Sequence, residues 1–128
     1  MIGIGASVYD TVKNYANQGA FPVIPINFAA ASDHQDRTRN IEFCNVRAAA
    51  YWQMREALDP DTGDDLALPP DNALLADLCA ARWQPTPRGI KIEAKADIIE
   101  RIGRSPDRAD AVVLAHYQAK PKRRFRIA

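Results

Sequence analysis

Helical periodicity occupies most of this chain, while strand-like runs are few, short and absent ahead of the first helix. That imbalance limits the architecture more than any other feature. Gly3 and Gly5 lead straight into Val8, Val12 and Tyr15 at helical spacing, the pattern of a strand-to-helix turn with no strand before it. Parallel sheets need such strands, because each crossover helix connects two of them. The expectation is therefore a fragment of an α/β fold.

Along the rest of the chain the signals are local. Asn17-Gln18-Gly19 ends the first helix, with Gly19 suited to the left-handed position past a last turn. Phe21 to Phe28 predicts a short strand, placed at a sheet edge because Pro22 and Pro25 each remove a ladder donor. Residues 29–42 are polar and predict a mobile loop. Phe43 to Leu58 predicts the longest helix, with Phe43, Val46, Ala50, Met54 and Ala57 on one stripe and Asp59-Pro60-Asp61-Thr62-Gly63 ending it. After a brief extended segment from Asp64 to Pro70, Asp71 is placed to cap a helix carrying Leu74, Leu75 and Leu78. Arg82-Trp83-Gln84 and Ile90-Lys91-Ile92-Glu93 predict a hairpin. Two helices close the chain. One runs from about Lys95 to Ile102 and ends at Gly103; the other has Ser105 as N-cap and Pro106 in its first position.

With 128 residues, 47% of them hydrophobic, the chain suffices for one small domain with a core of its own. Its formal charge of +1 excludes a strongly basic DNA-coating protein. The charge is unevenly spread, however, and Lys120, Lys122, Arg123, Arg124 and Arg126 crowd the C-terminus, a pattern that suits an anionic partner. Cys44 and Cys79 lack any CxxC spacing, which argues against a zinc site or a disulfide framework. No apolar run approaches the roughly 18–20 residues that span a bilayer, and the N-terminus lacks signal-peptide features. A soluble, intracellular protein that meets no membrane is expected.

Most candidate motifs carry little. Gly3-Ile4-Gly5 has Val8 where a dinucleotide fingerprint needs its third glycine, so a tight turn at a helix start is the favoured reading. His34 and His116 are isolated, and Ser7 has no neighbouring base. Arg47, Tyr51 and Arg55 share a helix face beside Trp52; a solvated face, with Tyr51 and Trp52 partly buried against the next element, is favoured there over a phosphate-contacting stripe. Asp107 and Asp110 stand apart from these. Their i, i+3 spacing puts both carboxylates on one helix face, as metal-assisted phosphodiester cleavage requires. The helix dipole accounts for Asp107 in the first turn but accounts less well for Asp110, which is expected past that turn, between Ala109 and Ala111.

Four blocks then match one family in order. They are Gly3-Ile4-Gly5-Ala6-Ser7-Val8-Tyr9-Asp10; Asn45-Val46-Arg47-Ala48 with Tyr51-Trp52 and Arg55-Glu56; Ile90-Lys91-Ile92-Glu93-Ala94-Lys95; and Arg101-Ile102-Gly103-Arg104-Ser105-Pro106-Asp107-Arg108-Ala109-Asp110-Ala111. Together they resemble the C-terminal nuclease region of tailed-phage terminase large subunits, and the last block is the most specific. The resemblance implies an RNase H-like α/β fold, truncated at its N-terminus and lacking its first strands. It covers residues 1–119 as a partial nuclease domain and leaves 120–128 as a basic tail.

In that family an ATPase pumps DNA into the capsid, and the nuclease cuts the concatemer with two divalent metals held by three acidic residues. The resemblance assigns the third acidic ligand to Asp110 and an assisting position to Asp107, with Mg²⁺ or Mn²⁺ as cofactor. The other two acidic positions, and the ATPase, are expected to precede Gly3. The chain alone is therefore expected to be a poor nuclease or none, and a non-catalytic DNA- or portal-binding prophage remnant is the alternative. Residues assigned to DNA contact are Arg47, Lys91, Lys95, Lys122, Arg123 and Arg124. The implied partners are double-stranded DNA, a portal protein and the terminase small subunit, in the cytoplasm of a bacterial host. A sheet edge exposed at Phe21–Phe28 predicts self-association.

Overall fold

Asn45 decides where the central helix begins. Its backbone is extended (φ −153°) and its side chain accepts the Ala48 N–H at 2.9 Å. Helix α2 therefore runs Val46–Ala57, three residues short of the expected start at Phe43. Phe43 belongs instead to the strand layer, where it forms a parallel bridge with Ile90. The computed structural model describes residues 4–17 and 21–119. Within them the protein is a mixed α/β fold of five helices and one two-stranded antiparallel sheet.

The helix α1, Ile4–Asn17, follows the expected stripe, but Val8, Val12 and Tyr15 on it are exposed. Helix α3, Asn72–Ala80, starts as read: Asp71 accepts the N–H groups of Ala73 and Leu74. Strands β1 (Trp83–Thr86) and β2 (Gly89–Ile92) form the expected hairpin, with Trp83 opposite Ile92. Gly89 is required there. Its φ is +105°, and a Cβ would run into the Glu42 carbonyl. That close approach lets Ile90 exchange backbone bonds with Glu42 and Cys44, at 2.8 and 3.0 Å. Helix α4 spans Lys95–Ile102 and stops at Gly103 in the left-handed conformation, as expected.

Helix α5, Asp107–His116, begins one residue later than expected. Pro106 is the boundary residue, and the Ser105 hydroxyl bonds the Asp107 carboxylate at 2.6 Å rather than capping the helix. The core lies between α2, α5 and β2. It gathers Phe43, Ala48, Ala49, Ala50, Trp52, Met54, Ile90, Ile92, Ala109 and Val113. A side chain such as Val113, with no exposure at all, contributes about 1.5–3 kcal/mol by leaving water.

Two expectations fail here. Phe21 to Phe28 forms no strand. Pro22 and Pro25 leave too few donors for a ladder; the Phe28 carbonyl instead accepts the Arg47 N–H at 3.0 Å, and its ring packs on the core. The sheet edge expected to drive self-association is thus not formed by this segment. The polar stretch 29–42 is tied down rather than loose. Buried Asp36 accepts N–H groups from Thr38, Asn40 and Ile41 and the Thr38 hydroxyl, and Gln35 bridges Glu42. Among the described residues no helix is long and apolar enough to cross a membrane.

Candidate functional site

Three of the four sequence blocks converge on one carboxylate. Asp110 lies within the first turn of α5 and not past it, because the helix starts at Asp107, and 15% of its side chain is exposed. Its Oδ1 accepts from Arg47 Nη1 and from Tyr51 Oη, each at 2.6 Å, both on α2. Its Oδ2 faces Lys95 Nζ at 3.1 Å, at the start of α4. Lys95 also donates to Asp107 Oδ1 at 2.8 Å, so a single ammonium joins the two carboxylates of the closing helix.

Local sequence explains the convergence. Arg47 sits one residue into α2, ahead of three alanines with no exposure, and Asp110 is flanked by Ala109 and Ala111. Small side chains let α2 and α5 pack closely, and each helix then brings one charged group into the seam. Lys95 arrives because only Glu93 and Ala94 separate it from the end of β2.

Arg47 is the anomalous member. Its side chain is only 10% exposed, and its guanidinium lies 4.8 Å from the Tyr51 ring and 5.9 Å from the Phe28 ring. One nitrogen binds Asp110; Nε and Nη2 are buried with no hydrogen-bond partner. Unmet donors of that kind are costly.

The titrations follow. Burial works against the Asp110 carboxylate, but hydrogen bonds from Tyr51 and Arg47 and the Arg47 charge prevail and hold it below the usual aspartate range. Burial, and then donation to Asp110, push the Tyr51 hydroxyl well above the usual tyrosine value. Bonding to Asp107 raises Lys95 against the opposing effect of burial, with Asp110 adding to the rise. Asp107 is lowered by Lys95 and then by Ser105.

The solvated face expected of the stripe of Arg47, Tyr51 and Arg55 fails at Arg47, while the burial expected of Tyr51 is met and exceeded. Both are buried, and Arg47 points inward to Asp110 instead of toward solvent. Arg55, from the same stripe, is exposed and stacks on Trp52 at 4.6 Å. Of the residues assigned to DNA, Lys95 is in the cluster, and Lys91 is exposed on β2 beside a cleft of about 240 Å³ with Arg82 and Trp83. Lys122, Arg123 and Arg124 lie outside the described residues. His34 packs against Tyr117, and His116 lines a polar cleft with Arg37 and Glu56; neither is a partner of Asp110. Cys44 and Cys79 are free thiols.

Besides Asp36, a second buried carboxylate has no counterpart among the sequence expectations. Asp77 of α3 has no exposure; it pairs with Arg104 and accepts the Arg108 N–H at 3.2 Å. The available signal was an acidic residue inside the apolar run from Leu74 to Leu78.

The donor set does not fit the divalent cation that the resemblance implies. Mg²⁺ and Mn²⁺ take free carboxylate oxygens. Here both oxygens of Asp110 already meet cationic or hydroxyl donors, and Arg47 and Lys95 together balance the charges of Asp107 and Asp110. Among the described residues no group of three or more His, Cys, Asp or Glu side chains is placed to hold a metal ion. No protein-family model matches this chain, and no curated protein matches it at a significant level.

Proposed function

We infer that this chain is a fragment of a tailed-phage terminase large subunit, from the RNase H-like nuclease region that cuts concatemeric DNA during packaging. As folded here it is catalytically silent. One observation supports the reading above all others: Arg47 and Tyr51, Lys95, and Asp107 with Asp110 come from three separate blocks of the resemblance and meet at the residue to which the family's chemistry assigns an acidic ligand. Residues matched only by accident have no reason to share a site. The silence follows from having one acidic ligand where the family's chemistry uses three, and that one is paired with Arg47, Tyr51 and Lys95.

Plasmid nicking in Mn²⁺ tests this, with the 128-residue chain and with a product extended by upstream coding sequence. The short chain should leave the plasmid supercoiled. The extended product should nick it, and Asp110→Asn should abolish that nicking while circular dichroism stays unchanged. Nicking that survives Asp110→Asn, or an extended product that folds and never cuts, would overturn the assignment.

The neutralised carboxylate also favours a second reading, a non-catalytic module that binds DNA or a portal through its basic residues. A gel shift whose affinity falls steeply with salt and ignores Mg²⁺, with both nicking experiments silent, would select it.

A further inference from the structure

The disagreement between the Asp110 cluster and a divalent cation has a specific cause in Lys95. Its ammonium lies 2.8 Å from Asp107 Oδ1 and 3.1 Å from Asp110 Oδ2, where an ion bridging the two carboxylates would have to sit. We propose that Lys95 is a tethered internal cation that closes this carboxylate pair to divalent metals, so that an ion enters only when the lysine withdraws.

The two cations of the cluster differ in their freedom to leave. Arg47 is fixed, because its guanidinium is buried against Phe28 and Tyr51 and its backbone N–H binds the Phe28 carbonyl. Lys95 is 43% exposed, on a flexible stem at the first residue of α4. Its ammonium regains water on swinging out, and its release frees Asp110 Oδ2 and leaves Asp107 Oδ1 with the Ser105 hydroxyl as its neighbour. Arg47 stays behind as a permanent positive charge. Removing the lysine therefore yields a weak site, not a tight one, until more negative charge is supplied.

The inference borrows only its probe ion from the nuclease reading. It concerns binding, and it stands or falls separately from cleavage.

Mn²⁺ titration followed by the loss of the free-ion paramagnetic resonance signal reads binding directly. The wild-type chain should take up Mn²⁺ no better than its Asp110→Asn variant. Lys95→Met keeps the stem and removes the charge, and should tighten Mn²⁺ binding about tenfold or more, since one unit charge no longer opposes a divalent ion at contact distance. Lys95→Arg keeps the charge and should behave as wild type. The gain in Lys95→Met should vanish when Asp110→Asn is added. Wild type and Lys95→Met binding Mn²⁺ equally would overturn the proposal. A gain that persists in the double variant would also overturn it, because the ion would then sit elsewhere. Lys91→Met, an exposed lysine on β2, serves as the control for charge loss alone.

Discussion

The first turn of α5 meets two buried or nearly buried carboxylates, and the two are stabilised in opposite ways. Asp77, from α3, has no exposure, and its charged partner Arg104 is 44% exposed. Asp110, on α5 itself, is paired with Arg47, whose side chain is only 10% exposed. In the first pair the acid is buried and the base is wet. In the second both are enclosed, and the base has donors to spare. Cutting either pair removes a carboxylate, but only the second cut strands a charge in the interior. The comparison therefore separates a bond that docks one helix on another from a bond that keeps a buried cation tolerable.

The sharpest way to break this contrast is Asp110→Ala. It leaves the Arg47 guanidinium buried and unpaired, and should cost about 3–5 kcal/mol in chemical denaturation. Much of that loss should be recovered by adding Arg47→Met, because the stranded charge is then gone. If Arg47→Met/Asp110→Ala were as unstable as Asp110→Ala alone, the cost would lie in packing, and the account of Arg47 as the burden would be wrong. The nicking comparison uses the isosteric Asp110→Asn because its amide oxygen can still accept from Arg47 and Tyr51, which offsets part of that cost.

Asp77→Asn comes next. Arg104 can return to water, and the amide oxygen can still accept the Arg108 N–H, so the expected loss is about 1–2 kcal/mol. Adding Arg104→Met should recover nothing. A loss equal to that of Asp110→Ala would erase the distinction between the two pairs.

Acid titration sharpens the contrast in a smaller way. Asp107 and Asp110 have folded-state pKa values below the unfolded ones. In the range below the unfolded value of about 4, the unfolded chain binds protons that the folded chain refuses. Their stabilisation is thus fully present above pH 4 and is lost as pH falls through the lowered folded values. Asp110→Asn should flatten the acid limb of the stability curve, and a limb of unchanged slope would show that Asp110 takes no part in it.

What the sequence allowed to be read was whatever neighbouring residues decide among themselves. Asp71 before Leu74, Gly103 after Ile102 and the turn ahead of Gly89 each set a local geometry, and α3, α4 and the hairpin follow. The expectations that failed depended on partners distant in sequence. Phe21–Phe28 has apolar residues suited to a strand, but its prolines leave it docked on α2 through Phe28 instead. Residues 29–42 look loose until Asp36 is seen to collect the donors around it. At the candidate site Asp110 was legible because an acid among alanines needs an explanation. Arg47 posed the same question one helix away, but its answer required knowing that α2 and α5 pack together. The charge of Lys95 was legible, whereas its position between two carboxylates depends on how β2 delivers α4 to the first turn of α5.

The smallest expected effect on stability belongs to Lys95→Met, and its smallness is informative. Lys95 is 43% exposed and its partner Asp107 74%, and exposed ion pairs of this kind contribute about 0–1 kcal/mol because water competes for both partners and holding them fixed costs entropy. Asp110 keeps Arg47 and Tyr51 as donors without it, so the core between α2 and α5 should not notice the change. A prop and a plug differ at this point. If Lys95 held the closing helix in place, its removal would lower the denaturation midpoint by as much as Asp77→Asn does, and Mn²⁺ would gain nothing from a loosened site. If it fills the space between two carboxylates, the midpoint should barely move while Mn²⁺ binding tightens. A large stability loss without tighter binding would therefore assign Lys95 to the architecture, leaving Arg47 as the cation that closes Asp110.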